Sequence, residues 1–162
     1  MNIEINWGIL IASMMALIAA FQLTIASSKL KLDLYNKRFH IYESVLNLYQ
    51  QAWKWEEEKI RPLELELIRS LRESKYLFNE KDEIYETIIK VKNANAKISG
   101  YHRTVKEFDT LSNPERFNIL HKTKVDGFDE FEKNLYELEE KLKKYISFKN
   151  INGLDGFLSR YI

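Results

Sequence analysis

Hydrophobic and polar positions follow two different regimes along the chain. From Trp7 to Ala26 the sequence reads WGILIASMMALIAAFQLTIA, twenty residues without a charge. At 1.5 Å per residue, a helix of that length covers roughly the 30 Å hydrocarbon core of a bilayer. Its polar side chains are Ser13, Gln22 and Thr24. Trp7 stands where an interfacial aromatic belongs, and Lys29 and Lys31 mark the opposite edge. A core helix is rarely uncharged all round over such a length. A secretory signal carries positive charge ahead of its apolar run, where this chain has Glu4. The pattern therefore predicts a transmembrane helix over about residues 7–26.

Beyond the span the period becomes that of helices covered on one face. Leu32, Tyr35, Phe39, Tyr42, Leu46, Tyr49 and Trp53 recur at alternating spacings of three and four, which predicts a continuous buried seam. No Gly or Pro intervenes before Pro62, so one helix from 7 to about 58, roughly 78 Å long, is expected. Pro62 suits the first turn of a second helix, with Glu64 and Glu66 complementing its positive end. The run LELELI alternates like a strand, but helix formers follow it and Arg69 and Glu73 make an i,i+4 pair, so it is read as helix.

Asn79 is the expected cap of a third helix, with Glu80, Asp82 and Glu83 in its first turn. Its seam is Ile84, Ile88, Val91, Asn95, Ile98, His102 and Val105, with Gly100 a weak point. Ser112 and Glu115 form a capping-box signature ahead of Pro114 and Phe117. Phe128, Phe131, Leu135, Leu138, Leu142 and Tyr145 give the last seam. Its phase does not continue from Phe117 and Leu120 across His121 to Gly127, which predicts a bend or interruption there. The tail FKNINGLDGFLSRYI carries an Asn-Gly turn signal and is expected to fold back on the bundle. The predicted fold is all-α: residues 1–28 form a short external N-terminus and the transmembrane helix, which continues into an antiparallel cytoplasmic bundle of about four helices over 29–162.

Charge divides the chain at the same place. Of 25 basic and 24 acidic residues, only Glu4 precedes Lys29, so the mean hydropathy of −0.40 averages two unlike segments. The leading segment has no Lys or Arg, whereas Lys29, Lys31, Lys37 and Arg38 crowd the trailing side, which predicts that the trailing side stays in the cytoplasm. These four form a candidate inner-leaflet basic cluster, each worth about 1 kcal/mol near anionic lipid. The interior part nets only +2, from 25 basic and 23 acidic residues, so nucleic acid is not expected as a main partner.

Small residues recur at every fourth position through the span: Gly8, Ala12, Ala16 and Ala20, then Thr24 and Ser28. Such a row lets two membrane helices approach closely. It marks Gly8, Ala12, Ala16 and Ala20 as candidate packing positions and predicts a homo-oligomer in the membrane.

At LDLYNKRFHIYE, residues 32–43, and again at RESKYLF, residues 72–78, the chain resembles a family of small bacterial single-pass membrane proteins. The resemblance covers roughly residues 7–80. It implies an inner-membrane location and brings no activity with it.

The residues offer little chemistry. The chain has no cysteine, P-loop or GxGxxG, and neither His-x-x-x-His nor Glu-x-x-His spacing, so no catalytic residue, metal site or cofactor is expected. Arg116 and His121 resemble the Arg-x4-6-His element of HEPN-type ribonucleases, although the residue after the arginine is the apolar Phe117. His102 reads as a hydrogen-bonded core residue, Asn95 as a register-setting polar residue, and Trp53 and Trp55 as core and edge of the bundle. Glu56, Glu57 and Glu58 beside Lys54 and Lys59 read as a solvated face. The expectation is a non-enzymatic, membrane-anchored interaction or scaffold protein that pairs with itself or with an unidentified protein. The alternatives are a tethered effector or ribonuclease using Arg116 and His121, and a prophage- or defence-type protein acting on the bilayer.

Overall fold

The computed structural model describes residues 7–107 and 113–147. They form four α-helices, α1 (Trp7–Lys54), α2 (Glu57–Leu77), α3 (Ile84–Glu107) and α4 (Pro114–Ile146), with a 3-10 turn at Glu80–Asp82. The protein is all-α. The described residues fall into two units, 7–35 and Asn36–Ser147.

Residues 7–35 are helical throughout and belong to α1, which is long and apolar enough to cross a membrane. The two hydroxyls within its apolar stretch are satisfied locally. Ser13 Oγ donates to the Ile9 carbonyl at 2.8 Å, and Thr24 Oγ1 to the Ala20 carbonyl at 3.0 Å. Neither hydroxyl then has to be hydrated.

In the second unit, packed neighbours run antiparallel. Tyr42, Tyr49 and Trp53 of α1 meet Glu139, Phe131 and Phe128 of α4 in reverse order. Glu57, Glu64 and Lys75 of α2 likewise meet Lys106, Asn95 and Tyr85 of α3. Ile41, Val45, Leu48, Ile60, Leu67, Ile88, Val91, Ile98, Phe131, Leu138 and Leu142 make the core.

The core face of α1 departs from the expected seam. Ile41, Ser44, Val45, Leu48 and Ala52 are buried, one register earlier than Phe39, Tyr42, Leu46, Tyr49 and Trp53. Compact residues occupy the centre, whereas Tyr42, Leu46 and Tyr49 pack on the flank about 100° away. The flank lets Tyr42 keep its hydroxyl on Glu139 Oε1 at 3.0 Å. Periodicity alone ranks large aromatics first, although their polar tips favour the edge. Trp53 is 62% exposed and lies flat on Phe128, whereas Trp55 packs against the core, the reverse of the expected assignment.

The helix ends also differ from expectation. Helix α1 stops at Lys54 because Trp55 adopts φ 46°, a left-handed conformation that a non-glycine residue rarely takes. Glu56 then caps α2, its carbonyl accepting from the amides of Lys59 and Ile60, and Glu57 and Glu58 face the positive helix end. Pro62 therefore lies inside α2 rather than opening it. The missing amide costs one hydrogen bond near the helix start, where tertiary packing holds the turn. Arg69 pairs with Glu66 at 3.1 Å, not with Glu73. Asn79 caps the 3-10 turn, accepting from the Lys81 amide at 3.0 Å, and α3 begins only after Glu83, another left-handed residue at φ 54°.

Asn113, rather than Ser112, caps α4, accepting from the Arg116 amide at 3.0 Å with Pro114 in the first turn. Ser112 lies outside the described residues, as does the expected fold-back of 148–162.

Helix α4 runs through 121–127 without interruption. Gly127 is buried against α3, where a Cβ would come within 3.0 Å of Lys97 Cβ and 3.1 Å of the Ala94 carbonyl. The lack of a side chain lets α3 and α4 pack continuously past the point where the large residues change face.

Gly100 is the opposite case, since a Cβ there meets nothing within 4 Å. Gly100→Ala should stabilise the protein by about 0.5–1 kcal/mol through helix propensity. Gly127→Val should destabilise it by about 1–3 kcal/mol through overpacking. Urea titration of the full chain in detergent measures both, and equal signs would contradict the packing described.

Candidate functional site

Three polar constellations lie in the second unit. The first ties the α2 end to α1 and α4. Arg38 Nε donates to the Leu77 carbonyl at 3.0 Å, satisfying one of the carbonyls left unpaired at a helix C-terminus. Its guanidinium lies 4.6 Å from the centroid of the Tyr145 ring and 5.8 Å from that of Phe78. The Tyr145 hydroxyl donates to Asp82, which also pairs with Lys144. Hydrogen bonds from Lys144 and Tyr145 hold the Asp82 carboxyl below its usual range. Burial lowers the Arg38 guanidinium from its ordinary value, opposed by Tyr145.

Arg38 therefore serves the bundle, apart from the other members of the expected basic cluster, Lys29, Lys31 and Lys37, whose side chains are exposed. Nothing in the residue pattern separates Lys37 from Arg38. The separation comes from Leu77, thirty-nine residues away, whose carbonyl needs a donor.

The second constellation is the corner after α1. Trp55 stacks on His102 with ring centroids 4.1 Å apart and planes 7° apart. Trp55 Nε1 and His102 Nε2 are both buried without a hydrogen-bond partner, so His102 is not the hydrogen-bonded core residue expected. Burial, with Lys124 and Lys106 nearby, pushes the His102 imidazole down to about 4. The ring is neutral at neutral pH and acts as an aromatic plate. Tyr101 touches His102 edge-on at 5.1 Å and His121 at 6.1 Å.

The third lies between α2 and α3. Glu64 Oε1 accepts from Asn95 Nδ2 at 3.0 Å and Ser99 Oγ at 2.5 Å, and Oε2 accepts from Arg103 at 2.8 Å. Asn95 Oδ1 is buried and unpartnered. These polar bridges hold the helices apart over a surface groove that contains Ile68, Lys92, Ala96 and Gly100, with a volume of about 300 Å³. It adjoins a second hollow, bounded by Trp55, Arg61 and Leu65, that shares Glu64, Ile68 and Arg103. Of the groove's polar residues, only Asn95 stands out in the sequence pattern. The missed signal was the mismatch of Leu65 and Ile68 with the buried positions Ile60, Leu67 and Leu71.

The small-residue row Gly8, Ala12, Ala16 and Ala20 is exposed on α1. Arg116 and His121 both lie on the exposed surface of α4, five positions apart, so they leave the helix about 140° apart. The acidic run at 56–58 is exposed, with Glu56 paired to Lys59 and Glu57 to Lys106.

The chain matches no family model, and no curated protein or solved structure is significantly similar to it.

The first constellation separates two neighbouring cations by their effect on stability. Arg38→Ala should cost about 1–3 kcal/mol in urea unfolding, because it leaves a helix-end carbonyl without its donor. Lys37→Ala should change stability by less than about 0.5 kcal/mol. Equal effects would remove the distinction between these neighbours.

The His102 value lies below its ordinary 6.5, so folding favours the neutral ring. Its contribution is complete above about pH 6.5 and is lost as pH falls towards 4. His102→Phe keeps an aromatic plate that cannot charge. It should flatten the decline in Tm between about pH 6.5 and 5, above the range of the carboxylates. Parallel Tm profiles for the two proteins would count against the stack as their source.

Proposed function

We propose that the protein is a membrane-anchored helical interaction protein that associates with itself and carries out no catalysis. The reading rests on one observation. The apolar stretch of α1 is exposed all round, with Trp7, Ile9, Met15, Leu17, Phe21, Leu23 and Ile25 uncovered by any other described residue. Continuous apolar surface of that size calls for lipid or protein cover. Its hydroxyls are bonded within the helix, as a hydrocarbon environment requires.

The charge asymmetry supports an orientation with the N-terminus outside, one span, and the bundle on the cytoplasmic side of a bacterial inner membrane. Lys29, Lys31 and Lys37 then meet anionic headgroups. The row of Gly8, Ala12, Ala16 and Ala20 supports close helix pairing. The family resemblance at residues 32–43 points to the same location. The bundle's groove and exposed faces supply surfaces for association.

The test is crosslinking in intact membranes. Single cysteines at positions 8, 12, 16 and 20, in a chain with no native cysteine, should form disulfides between copies, and cysteines at 10, 14 and 18 should not. Ala12→Leu with Ala16→Leu should abolish the trapped dimer. Equal trapping on both faces would defeat the pairing row. A tag after Ile162 that is accessible from outside would overturn the orientation.

A further inference from the structure

The exposed apolar surface of α1 continues past the end of the charge-free stretch. Residues 27–35 belong to the same unit as that stretch rather than to the bundle, and the helix runs through them without a break. Leu30 is 70% exposed, matching Leu23 and Ile25 within the charge-free stretch at 73% and 69%, and Leu32 is 46% exposed. Lys29 and Lys31 bracket Leu30, are themselves exposed, and take part in no ion pair among the described residues.

The helical geometry decides what can cover these leucines. Successive residues leave an α-helix about 100° apart, so Leu30 and Leu32 emerge nearly opposite each other, about 160° apart. Lys29 and Lys31 emerge on the two flanks between them. A single partner helix covers one face, so pairing with a second copy leaves one of the two leucines in water. A lipid phase surrounds the helix and covers both. The lysines are compatible with it, because near the end of a span their apolar stems lie in hydrocarbon while the ammonium groups reach the headgroups. Asp33, the first carboxylate after Glu4, lacks such a stem and marks the limit of embedding.

We propose that lipid acyl chains cover α1 as far as Leu32, with Lys29 and Lys31 reaching the phosphate groups of anionic phospholipid. Resting on the membrane anchoring proposed above, this moves the trailing boundary of the embedded segment from Ala26 to Leu32. From Trp7 to Leu32 the helix axis then runs roughly 38 Å, against about 30 Å of hydrocarbon. A helix longer than the local hydrocarbon thickness accommodates the excess by tilting. The two leucines add apolar surface to the anchor, and the flanking lysines make that added hold depend on anionic headgroups.

The experiment uses the full chain, which has no native cysteine, in liposomes of phosphatidylethanolamine and phosphatidylglycerol. A nitroxide is attached to Leu17→Cys, Leu30→Cys, Leu32→Cys or Asn36→Cys, and electron paramagnetic resonance reads its collisions with molecular oxygen and with a water-soluble nickel chelate. Oxygen concentrates in hydrocarbon and the chelate in water. Labels at 30 and 32 should both favour oxygen, as the label at 17 does, and meet the chelate at least about threefold less often than the label at 36. Lys29→Asp with Lys31→Asp should return the label at 30 to the chelate, whereas Lys29→Arg with Lys31→Arg should leave it in oxygen. Chelate contact at 30 or 32 equal to that at 36 would overturn the extended boundary, and with 17 still in oxygen the membrane anchoring itself stands. Chelate contact at 17 would defeat the anchoring. Low collision with both probes at either leucine marks cover by protein and would overturn lipid as the occupant. A label at 30 indifferent to the aspartate pair would overturn the part given to the lysines.

Discussion

The packing of α3 on α4 is the constraint around which the bundle is arranged. At Gly127 the two helices come close enough that a single methyl group would meet the Ala94 carbonyl and the Lys97 and Ile98 side chains. Towards the C-terminal end of α4 large residues follow in the same core, Ile88 and Val91 from α3 and Phe131, Leu138 and Leu142 from α4. Polar side chains seal the edge. Lys141 joins Glu137 at 2.7 Å and Thr87 at 2.9 Å, and Lys97 joins Glu130 at 2.5 Å. The hydrogen bond from Lys141 is the main reason the Glu137 carboxyl lies below its usual range. Helices α1 and α2 join the same core through Ile41, Val45 and Leu48 and through Ile60 and Leu67, with aromatics along the flank of α1 and the carboxylate of Glu64 along that of α2.

That difference accounts for the groove between α2 and α3. An apolar interface closes until side chains interlock, because every gap forfeits dispersion contacts. An interface bridged by a half-buried carboxylate stops closing once its donors are in place. Glu64 takes donors from Asn95, Ser99 and Arg103 on successive turns of α3, so α2 is held at hydrogen-bonding distance along that length. Leu65 and Ile68, next to this bridge, are left at the rim. Removing the bridge while leaving Asn95 and Ser99 in place would strand buried polar groups, which makes the polar seam self-consistent though not tightly packed.

The helices themselves were legible in the amino-acid pattern, and the details that failed did so for identifiable physical reasons. Charge-free length marked residues 7–26, and the three-four spacing of Ile84 to Ile98 and of Phe128 to Leu142 marked the buried faces of α3 and α4. The face of α1 was misplaced by one register because Tyr and Phe dominate any hydrophobicity count, whereas burial selected the compact Ile41, Val45, Leu48 and Ala52. The corner at Trp55 was invisible: no local rule predicts a left-handed tryptophan, whose conformation is held by stacking on His102, forty-seven residues away. The interruption expected in α4 between His121 and Gly127 does not occur, because Gly127 lies buried against α3 inside a continuous helix. Arg38 and the Glu64 groove were illegible for a related cause, since a side chain's role depends on which distant backbone or carboxylate it meets.

The two units differ in how far their apolar side chains are covered, and the proposed function follows from that difference. In the second unit, polar groups are answered mainly within the fold, by caps at Asn79 and Asn113, by Arg38 at the α2 end, and by the Glu64 and Glu137 networks. In the first unit, the hydroxyls are answered by their own helix and the apolar surface by nothing among the described residues. Under the proposed function a bilayer supplies that cover without specificity, so specificity of association comes from shape in the span and from the exposed faces of the bundle. Small residues at 8, 12, 16 and 20 offer shape, which tolerates many partners of similar form. Under the proposed function, tethering raises the effective concentration of the bundles, and a contact between them too weak to hold free molecules together then suffices to order them.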